Sequence, residues 1–490
     1  MPRNNNRIIG FTLVELLVVI AIIGLIASLS VIAFGNARQK SRDSKRVSDI
    51  KQVQTALELF FSDQGRYPTA TEWNTGSLYS TSTLTGTTTY MENIPESPDV
   101  IDGDCLTDQY LYNVTGDLTE YYISFCLGGT VSANIGPGDL RATNMGISPD
   151  YSWQVVGSSG FTTDAILYDI SLQSYNGEPY VGIQNITYGH SPSVMKYNGS
   201  AWVYVGSPVA YPTYGYYNFL KIINGVPYIF FTGNTMSYKT AVTKYDGSNW
   251  VSVGLLPFSS GQGGYLTMDG YNGVPYVSFT DAAYSNRAVV MKYDGDNWVA
   301  IGLPGFTASS VTYLELRLNG STPYVAFRDS SCGYQVSVMK YNGSDWEYVG
   351  PPCFSTNFYG DPTNVISLRH YDGVPYVSFV NTNAKPSVMK YNGSSWEYVG
   401  IDSFTPNTAY YTTMDIYKGT PYVVFADGAN SSKASAMKYN GSSWVYVGQP
   451  GFSSERVYSP HIDITDGYFY IAFRNHPITK PTVMKFSELE

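Results

Sequence analysis

Pro323-Tyr324-Val325-Ala326-Phe327, Val338-Met339-Lys340-Tyr341-Asn342-Gly343 and Trp346-Glu347-Tyr348-Val349-Gly350 follow one another in close succession. Each run is rich in β-branched and aromatic residues, which suit a pleated, half-buried surface. Asn342-Gly343 separates the second run from the third and offers the positive φ that a tight hairpin needs. A fourth run, Leu314–Gly320, precedes them and ends on Asn319-Gly320. The unit therefore reads as four short strands joined by hairpins.

This unit recurs along the chain. Trp153, Trp202, Trp250, Trp298, Trp346, Trp396 and Trp444 are spaced 49, 48, 48, 48, 50 and 48 residues apart. A second marker falls at Tyr180, Tyr228, Tyr276, Tyr324, Tyr376 and Tyr422, each after a proline, with Tyr470 as a diverged seventh. A third is Lys196, Lys244, Lys292, Lys340, Lys390, Lys438 and Lys485. Four strands in a period of roughly 40–50 residues signal a β-propeller. The first fragment, Tyr151–Val156, is a lone fourth strand, and the last, Tyr468–Phe486, stops after a third. Joining them completes a seventh blade and removes two exposed edges. The expectation for 150–490 is thus an all-β seven-bladed propeller closed by N- and C-terminal strands. Cys332 and Cys353 lie symmetrically about the Asn342-Gly343 turn. They are expected to form a disulfide across the third and fourth strands of that blade.

Composition agrees with an all-β protein, with 45 Tyr, 22 Phe, 8 Trp and 47 Gly in 490 residues. The net charge of −10 is uneven. Residues 1–66 hold nine Lys/Arg against five Asp/Glu, residues 67–150 one against eleven, and residues 151–490 nineteen against twenty-three. The repeats carry no bulk positive field, which argues against nucleic acid as a partner.

Positions identical in every repeat serve packing, so the lysine, Trp and Tyr sets read as structural. Function is expected where the repeats differ, at Arg317, Arg328, Asp329, Arg369, His370, His461, Arg474 and His476. Spacing assembles no triad or metal site from these, and no catalytic residue is assigned. The Gly-x-x-Trp turns are faintly similar to sialidase Asp boxes, but Tyr197, Tyr245 and Tyr293 stand where the Asp belongs. Asn198, Asn342, Asn392 and Asn440 open Asn-Gly-Ser triplets, a glycosylation pattern that here reads first as turns.

The N-terminus is different. MPRNNNRIIG (1–10) is short, polar and basic, and an apolar run follows from Phe11 to Phe34, interrupted by Thr12, Glu15, Gly24, Ser28 and Ser30. That run is long enough to span a bilayer at ~20 residues, with the basic flank cytoplasmic. Val47, Ile50, Val53, Leu57 and Phe60 then recur at three- and four-residue spacing, an amphipathic stripe with Gly65 as a stop. Residues 11–63 are expected to form one helix of roughly 80 Å at ~1.5 Å per residue. Lys40, Arg42, Lys45, Arg46 and Lys51 read as its solvated, headgroup-proximal face.

Gly10-Phe11-Thr12-Leu13-Val14-Glu15-Leu16 resembles the processing site of type IV pilins and type II secretion pseudopilins. The resemblance implies that a prepilin peptidase cuts after Gly10 and that Phe11 becomes the N-methylated first residue. It implies that Glu15 pairs with a neighbouring subunit's N-terminal amine during assembly, as a buried carboxylate requires a cation.

Beyond the helix, 74–89 reads as a loop, and Gln109–Val114 and Glu120–Leu127 read as strands bracketed by Cys105 and Cys126. In an exported chain these cysteines form a disulfide. A long helix with a small sheet resembles the major pseudopilin, so residues 66–149 are expected to be a pilin-like head and linker. Asp99, Asp102, Asp104 and Asp108 crowd one loop. They read either as a solvated acidic loop or as a Ca²⁺ site, and the resemblance implies calcium in a head loop. The whole reads as an α+β pilin module followed by the propeller. Its expected role is a filament subunit displaying a module for adhesion or ligand binding. Its expected partners are other pilin subunits, the peptidase, the membrane before assembly and an extracellular glycan or protein. Alternatives are a secretion or DNA-uptake pseudopilin and a pilin-anchored propeller enzyme.

Overall fold

The computed structural model describes residues 13–80, 88–98, 100–102, 105, 109–114, 118–132, 135, 138–144, 146–149, 153–166, 170–207, 210–211, 214–356, 366–465 and 467–487. The chain divides into two compact units between Asp150 and Tyr151.

The first unit is built on one helix, α1 (Leu13–Gln64). It ends where Gly65 turns to a φ of +67° and its N–H donates to the Phe61 carbonyl at 2.8 Å. A left-handed residue there is cheap only for glycine. A one-turn helix, α2 (Ala70–Trp73), follows, and Thr69 and Glu72 cap it reciprocally. The amphipathic stripe does what its spacing dictates. Val47, Ile50, Val53 and Leu57 are buried with Tyr67, Tyr121, Ile123, Phe125, Leu140 and Ala142. Those partners lie largely on a four-stranded antiparallel sheet, β1 (Leu111–Val114), β2 (Tyr121–Leu127), β3 (Gly138–Thr143) and β4 (Gly146–Pro149), in chain order. The last two strands were not legible in the sequence. They offer few apolar residues, and their glycines and proline hide the period-two alternation that marks a strand.

The basic stretch of α1 is not a uniformly solvated face. Lys40 and Lys51 are exposed, but Arg46 is buried to 2% exposure and Arg42 is half-buried. Both guanidiniums grip Asp102. Arg46 Nη1 donates to its Oδ2 and to Asp43 Oδ1, each at 2.8 Å, and Arg42 Nε donates to Oδ2, also at 2.8 Å. Burial of the apolar stripe carries this end of the helix against the loop, so the neighbouring cations must find partners or stay unfolded.

Among its described residues, the second unit forms seven four-stranded antiparallel sheets. Sheet one comprises Ser171–Tyr175, Glu178–Asn185, Ser191–Tyr197 and Trp202–Tyr204. The first strands of the next six are Gly215–Ile223, Gly263–Tyr271, Val311–Asn319, Ser367–Tyr371, Ala409–Tyr417 and Val457–Thr465. In every sheet the second strand carries the repeated Tyr, the third the Lys and the fourth the Trp, except that sheet seven takes its fourth strand, Gln154–Val155, from the start of the unit. The first hairpin of sheets one, two, three, five and six uses adjacent left-handed residues, such as Asn272 at φ +49° and Gly273 at +80°, as a tight primed turn demands.

The first strands touch in cyclic order from one to seven and back to one. The Trp belt repeats the same order. Each indole Nε1 donates to a main-chain carbonyl of the preceding sheet. Trp202 bonds Val156, Trp250 Val205, Trp298 Val253, Trp346 Ile301, Trp396 Val349, Trp444 Val399 and Trp153 Val447, all at 2.8–2.9 Å. Six of the seven also stack on a phenylalanine with centroids 4.0–4.7 Å apart: Phe161, Phe258, Phe306, Phe354, Phe404 and Phe452. The sequence reading missed these phenylalanines, although they too recur at about the repeat period.

Candidate functional site

Each first strand places one residue opposite the repeated Tyr of its own sheet. These are Gln173, Lys221, Asp269, Arg317, Arg369, Asp415 and Asp463. The position is polar in every repeat yet differs between them. Two residues earlier in strand lie Ser171, Phe219, Thr267, Glu315, Ser367, Thr413 and His461. Members of both tiers line one cavity of about 60 Å³, among them Gln173, Lys221, Arg317, Arg369, His461 and Asp463.

Side chains that can accept a hydrogen bond reach across to the next sheet. Asp269 Oδ2 accepts from Leu318 N at 2.8 Å, Asp415 Oδ2 from Ile464 N at 2.9 Å, Asp463 Oδ2 from Ser174 N at 2.8 Å, and Gln173 Oε1 from Ile222 N at 2.8 Å. Thr267 Oγ1 does the same for Leu316 N at 2.9 Å. Lys and Arg have no acceptor, so Lys221 and Arg317 each pair with one carboxylate and Arg369 bridges two. Lys221 pairs with Asp269 at 3.0 Å, Arg317 with Glu315 at 2.6 Å, and Arg369 with Glu315 at 2.9 Å and Asp415 at 3.0 Å.

A ring of seven cannot alternate in sign. Gln173 is neutral, Glu315 enters from the tier above to separate two arginines, and Asp415 and Asp463 are left as like-charged neighbours. Burial, and then the Asp415 charge, push the Asp463 carboxyl above the usual range. Burial works against ionised Asp269 too, but Lys221 and Arg317 outweigh it and hold that carboxyl below the usual range. His370 is pushed down to about 4 by burial and then by Arg317. It stands edge-on to Tyr324 with centroids 4.5 Å apart, and is neutral at pH 7.

The structure thus brings Arg317, Arg369 and His461 to one channel, with His370 beside them. It sends Arg328 and Asp329 elsewhere, to the end of a second strand. Arg328 is buried with its guanidinium 5.7 Å from the Tyr313 ring centroid, and Asp329 caps the following turn through Ser331 N at 2.9 Å. Arg474 and His476 lie beside Tyr458, at 5.6 and 5.7 Å from its ring centroid. The channel acids are tied to cations or to main-chain N–H groups. These bonds interlock neighbouring sheets.

Gly10 and Phe11 lie outside the described residues, and Glu15 is on α1 with its side chain outside them. Cys105 is bonded to Cys126, and Cys332 to Cys353. The second pair is not on paired strands, as the hairpin symmetry implied. Cys332 closes the turn Ser330–Cys332 before the third strand (Gln335–Tyr341), and Cys353 follows the fourth (Trp346–Tyr348). The ladder is shorter than the symmetry suggested, so the bridge clasps its two loose ends. Of the acidic loop, Asp99, Asp104 and Asp108 are outside the described residues. Asp102 is held well below the usual carboxylate range, chiefly by its hydrogen bonds from Arg42. With both its oxygens taken by guanidiniums, it does not fit a Ca²⁺ ligand.

Asn198, Asn342, Asn392 and Asn440 are turn residues. Each Oδ1 accepts from the main-chain N–H groups two and three residues on.

Residues 5–31 match the family described as Prokaryotic N-terminal methylation motif. The chain is 44% identical over 69 residues to the type II secretion system core protein G of Klebsiella michiganensis, covering 14% of this chain and 47% of that one. It is 40% identical over 67 residues to the type IV major pilin protein PilA of Myxococcus xanthus, covering 14% and 30%. The chain spans less than half the length of these curated relatives. Among solved structures it is similar to Aleuria aurantia lectin in complex with Fucα1-6GlcNAc, at 12% identity and a TM-score of 0.40 over 59% of this chain and 99% of the other. It is also similar to the polysaccharide lyase Uly1, at 9% identity and a TM-score of 0.45 over 69% and 92%. The N-terminal segment thus carries a methylation motif and is similar to that of pilins and pseudopilins.

Proposed function

We propose that this chain is a pilin-class subunit that carries a closed seven-bladed β-propeller outside the cell as a binding module for adhesion. The methylation motif carries the reading, because it runs into a single helix whose apolar stripe packs on a small sheet. That sheet is the pilin-like head. The seven indole bonds in cyclic order, and the last sheet shared by both ends of its unit, support a closed propeller. The apolar run Phe11–Phe34 holds the subunit in the membrane before assembly; among the described residues, no helix is long and apolar enough to cross a membrane. A prepilin peptidase cuts after Gly10, Phe11 is methylated, and Glu15 pairs with the amine of a neighbouring subunit. The propeller is not an enzyme in this reading, since its channel acids are spent on joining sheets.

Mass spectrometry of the mature chain tests the first step. It should begin at Phe11, and Gly10→Leu should leave the leader attached. An uncut Met1 in cells with an active peptidase would overturn the reading. Glu15→Ala should insert normally but fail to enter filaments. A second reading, a secretion-machine pseudopilin, is favoured by the likeness to core protein G. Shearing separates the two: a surface filament subunit is released with the filaments, a periplasmic pseudopilin is not.

A further inference from the structure

The turn between the third and fourth strands carries Asn-Gly in sheets one, four, five and six, at Asn198, Asn342, Asn392 and Asn440. All four asparagines are exposed, and a Cβ added to the glycine after each would meet nothing within 4 Å. The four turns share one geometry. Gly199, Gly343, Gly393 and Gly441 have φ of +94°, +104°, +96° and +96°, and each asparagine Oδ1 takes the two main-chain N–H bonds described above. What differs is the amide nitrogen. Asn342 Nδ2 donates to Glu347 Oε2 at 3.0 Å, and Asn392 Nδ2 donates to Glu397 Oε2 at 3.0 Å. In sheets one and six the residue in the glutamate's register is Val203 or Val445, whose side chain has no acceptor.

An asparagine followed by glycine can close on itself, because glycine has no Cβ to keep the next main-chain nitrogen away from the amide carbon. The Gly nitrogen gives its proton to water and attacks Cγ. The N–Cγ bond forms, the Cγ–Nδ2 bond breaks, and Nδ2 takes a proton from water and leaves as ammonia. Water then opens the five-membered imide at one of its two C–N bonds. One opening gives aspartate, and the other gives isoaspartate, in which the main chain runs through Cγ. The sum consumes one water and releases one ammonia, with nothing oxidised or reduced. Two N–H donors on Oδ1 stabilise the negative charge that gathers there as the nitrogen adds. A carboxylate on Nδ2 works the other way. It holds the side chain with a charge-assisted bond that closure must break, and its own charge raises the energy of the anion formed on the way.

We propose that Asn198 and Asn440 are sites of spontaneous deamidation, and that Glu347 and Glu397 protect Asn342 and Asn392 from the same reaction. Sheets two and three show that the turn accepts one of the products. Asp246 stands in that place in sheet two, and its Oδ1 accepts from Ser248 N at 2.8 Å and Asn249 N at 2.7 Å, as the asparagines do. Asp294 does the same in sheet three with Asp296 N at 3.0 Å and Asn297 N at 2.8 Å. The isoaspartate product does not fit. Its extra main-chain carbon falls in the tight turn that joins Tyr439 to its ladder partner Trp444, and it disturbs the register that sets Trp444 in the outer belt. Each event adds one negative charge and falls on sheets one and six alone, so the propeller ages unevenly. The inference goes beyond the binding role and holds whatever the propeller binds.

The repeats supply the control. Full-length protein in detergent would be held in mildly alkaline buffer and mapped over time by peptide mass spectrometry. Asn198 and Asn440 should convert about threefold faster than Asn342 and Asn392, the factor that an exposed charged contact supplies. Glu347→Ala should bring Asn342 up to the rate of Asn440 and leave the other sites unchanged. Val445→Glu copies into sheet six the glutamate of sheets four and five, and should slow Asn440 by a similar factor. Asn440→Asp should melt with the wild type, because it builds the turn that Asp246 and Asp294 already make. A lower melting temperature for Asn440→Asp would overturn the claim that the turn accepts aspartate. Equal rates at all four asparagines would overturn the protection, as would an unmoved Asn342 in Glu347→Ala. Intact Asn198 and Asn440, under conditions in which synthetic peptides of the same sequences convert, would overturn the sites themselves and leave the adhesive role standing.

Discussion

The outer belt and the inner ring of the repeat unit do the same job by opposite means. Outside, seven identical tryptophans each reach one carbonyl of the preceding sheet. Inside, seven positions in common register hold one Gln, one Lys, two Arg and three Asp. The outer residues are far apart, so each solves a local problem and the same answer serves seven times. The inner residues converge on one axis, where like charges repel and must be neutralised by their neighbours. Identity marks a contact made one sheet at a time, and diversity marks a contact that the whole ring makes together.

The largest test breaks the outer belt at its seam. Deleting 150–160 removes Trp153 and the fourth strand of sheet seven, leaving a bare edge and an empty aromatic slot. The lost Trp alone is worth ~3–5 kcal/mol, much of a domain's ~5–15 kcal/mol. The shortened protein should aggregate or melt far lower than the intact one. Equal melting temperatures would mean that the ring does not depend on its ends.

Next is the inner ring. Arg369→Leu strands Glu315 and Asp415 without their shared cation, and removing one partner of a buried pair costs ~3–5 kcal/mol. Denaturant unfolding of Arg369→Leu should show that loss. A cost under about 1 kcal/mol would mean that the ring is solvated and its pairs are incidental.

Trp298→Phe keeps the stack on Phe258 but deletes the indole bond to Val253. It should cost about 1–3 kcal/mol, the penalty of an unsatisfied buried carbonyl plus some lost packing. If the belt is truly local, the same change at Trp346 should cost the same within a few tenths, and the two should add.

The smallest effect is also the most specific. The native Asp463 carboxyl titrates above its unfolded value, so the folded state binds the extra proton in the window between the two. Stability from this group is therefore greatest below the unfolded value and falls as pH rises through the native one. Asp463→Asn keeps an acceptor for Ser174 and removes the charge. It should match wild type at low pH, below the unfolded value, and be the more stable of the two at neutral pH. A variant less stable than wild type at neutral pH would show that Asp463 is a needed anion and not the odd member of the ring.

Reading the chain by itself went furthest where the signal is local or repeated. The helix follows from apolar spacing, and its end from Gly65. The four strands of each repeat follow from alternation and from Asn-Gly turns, and the packing role of the Trp set from its regularity. The methylation-type leader was legible because a small residue, an aromatic and a carboxylate fall at set places before and in an apolar run. Weak strands such as Gly138–Thr143 were lost because few of their residues are apolar.

The tertiary structure alone decided which partners the charged groups meet. Arg46 and Asp102 are 56 residues apart, and Asp463 and Ser174 are 289. No local pattern announces such pairs, because electrostatic energy depends on distance in space and on burial, and both exist only after the chain has closed.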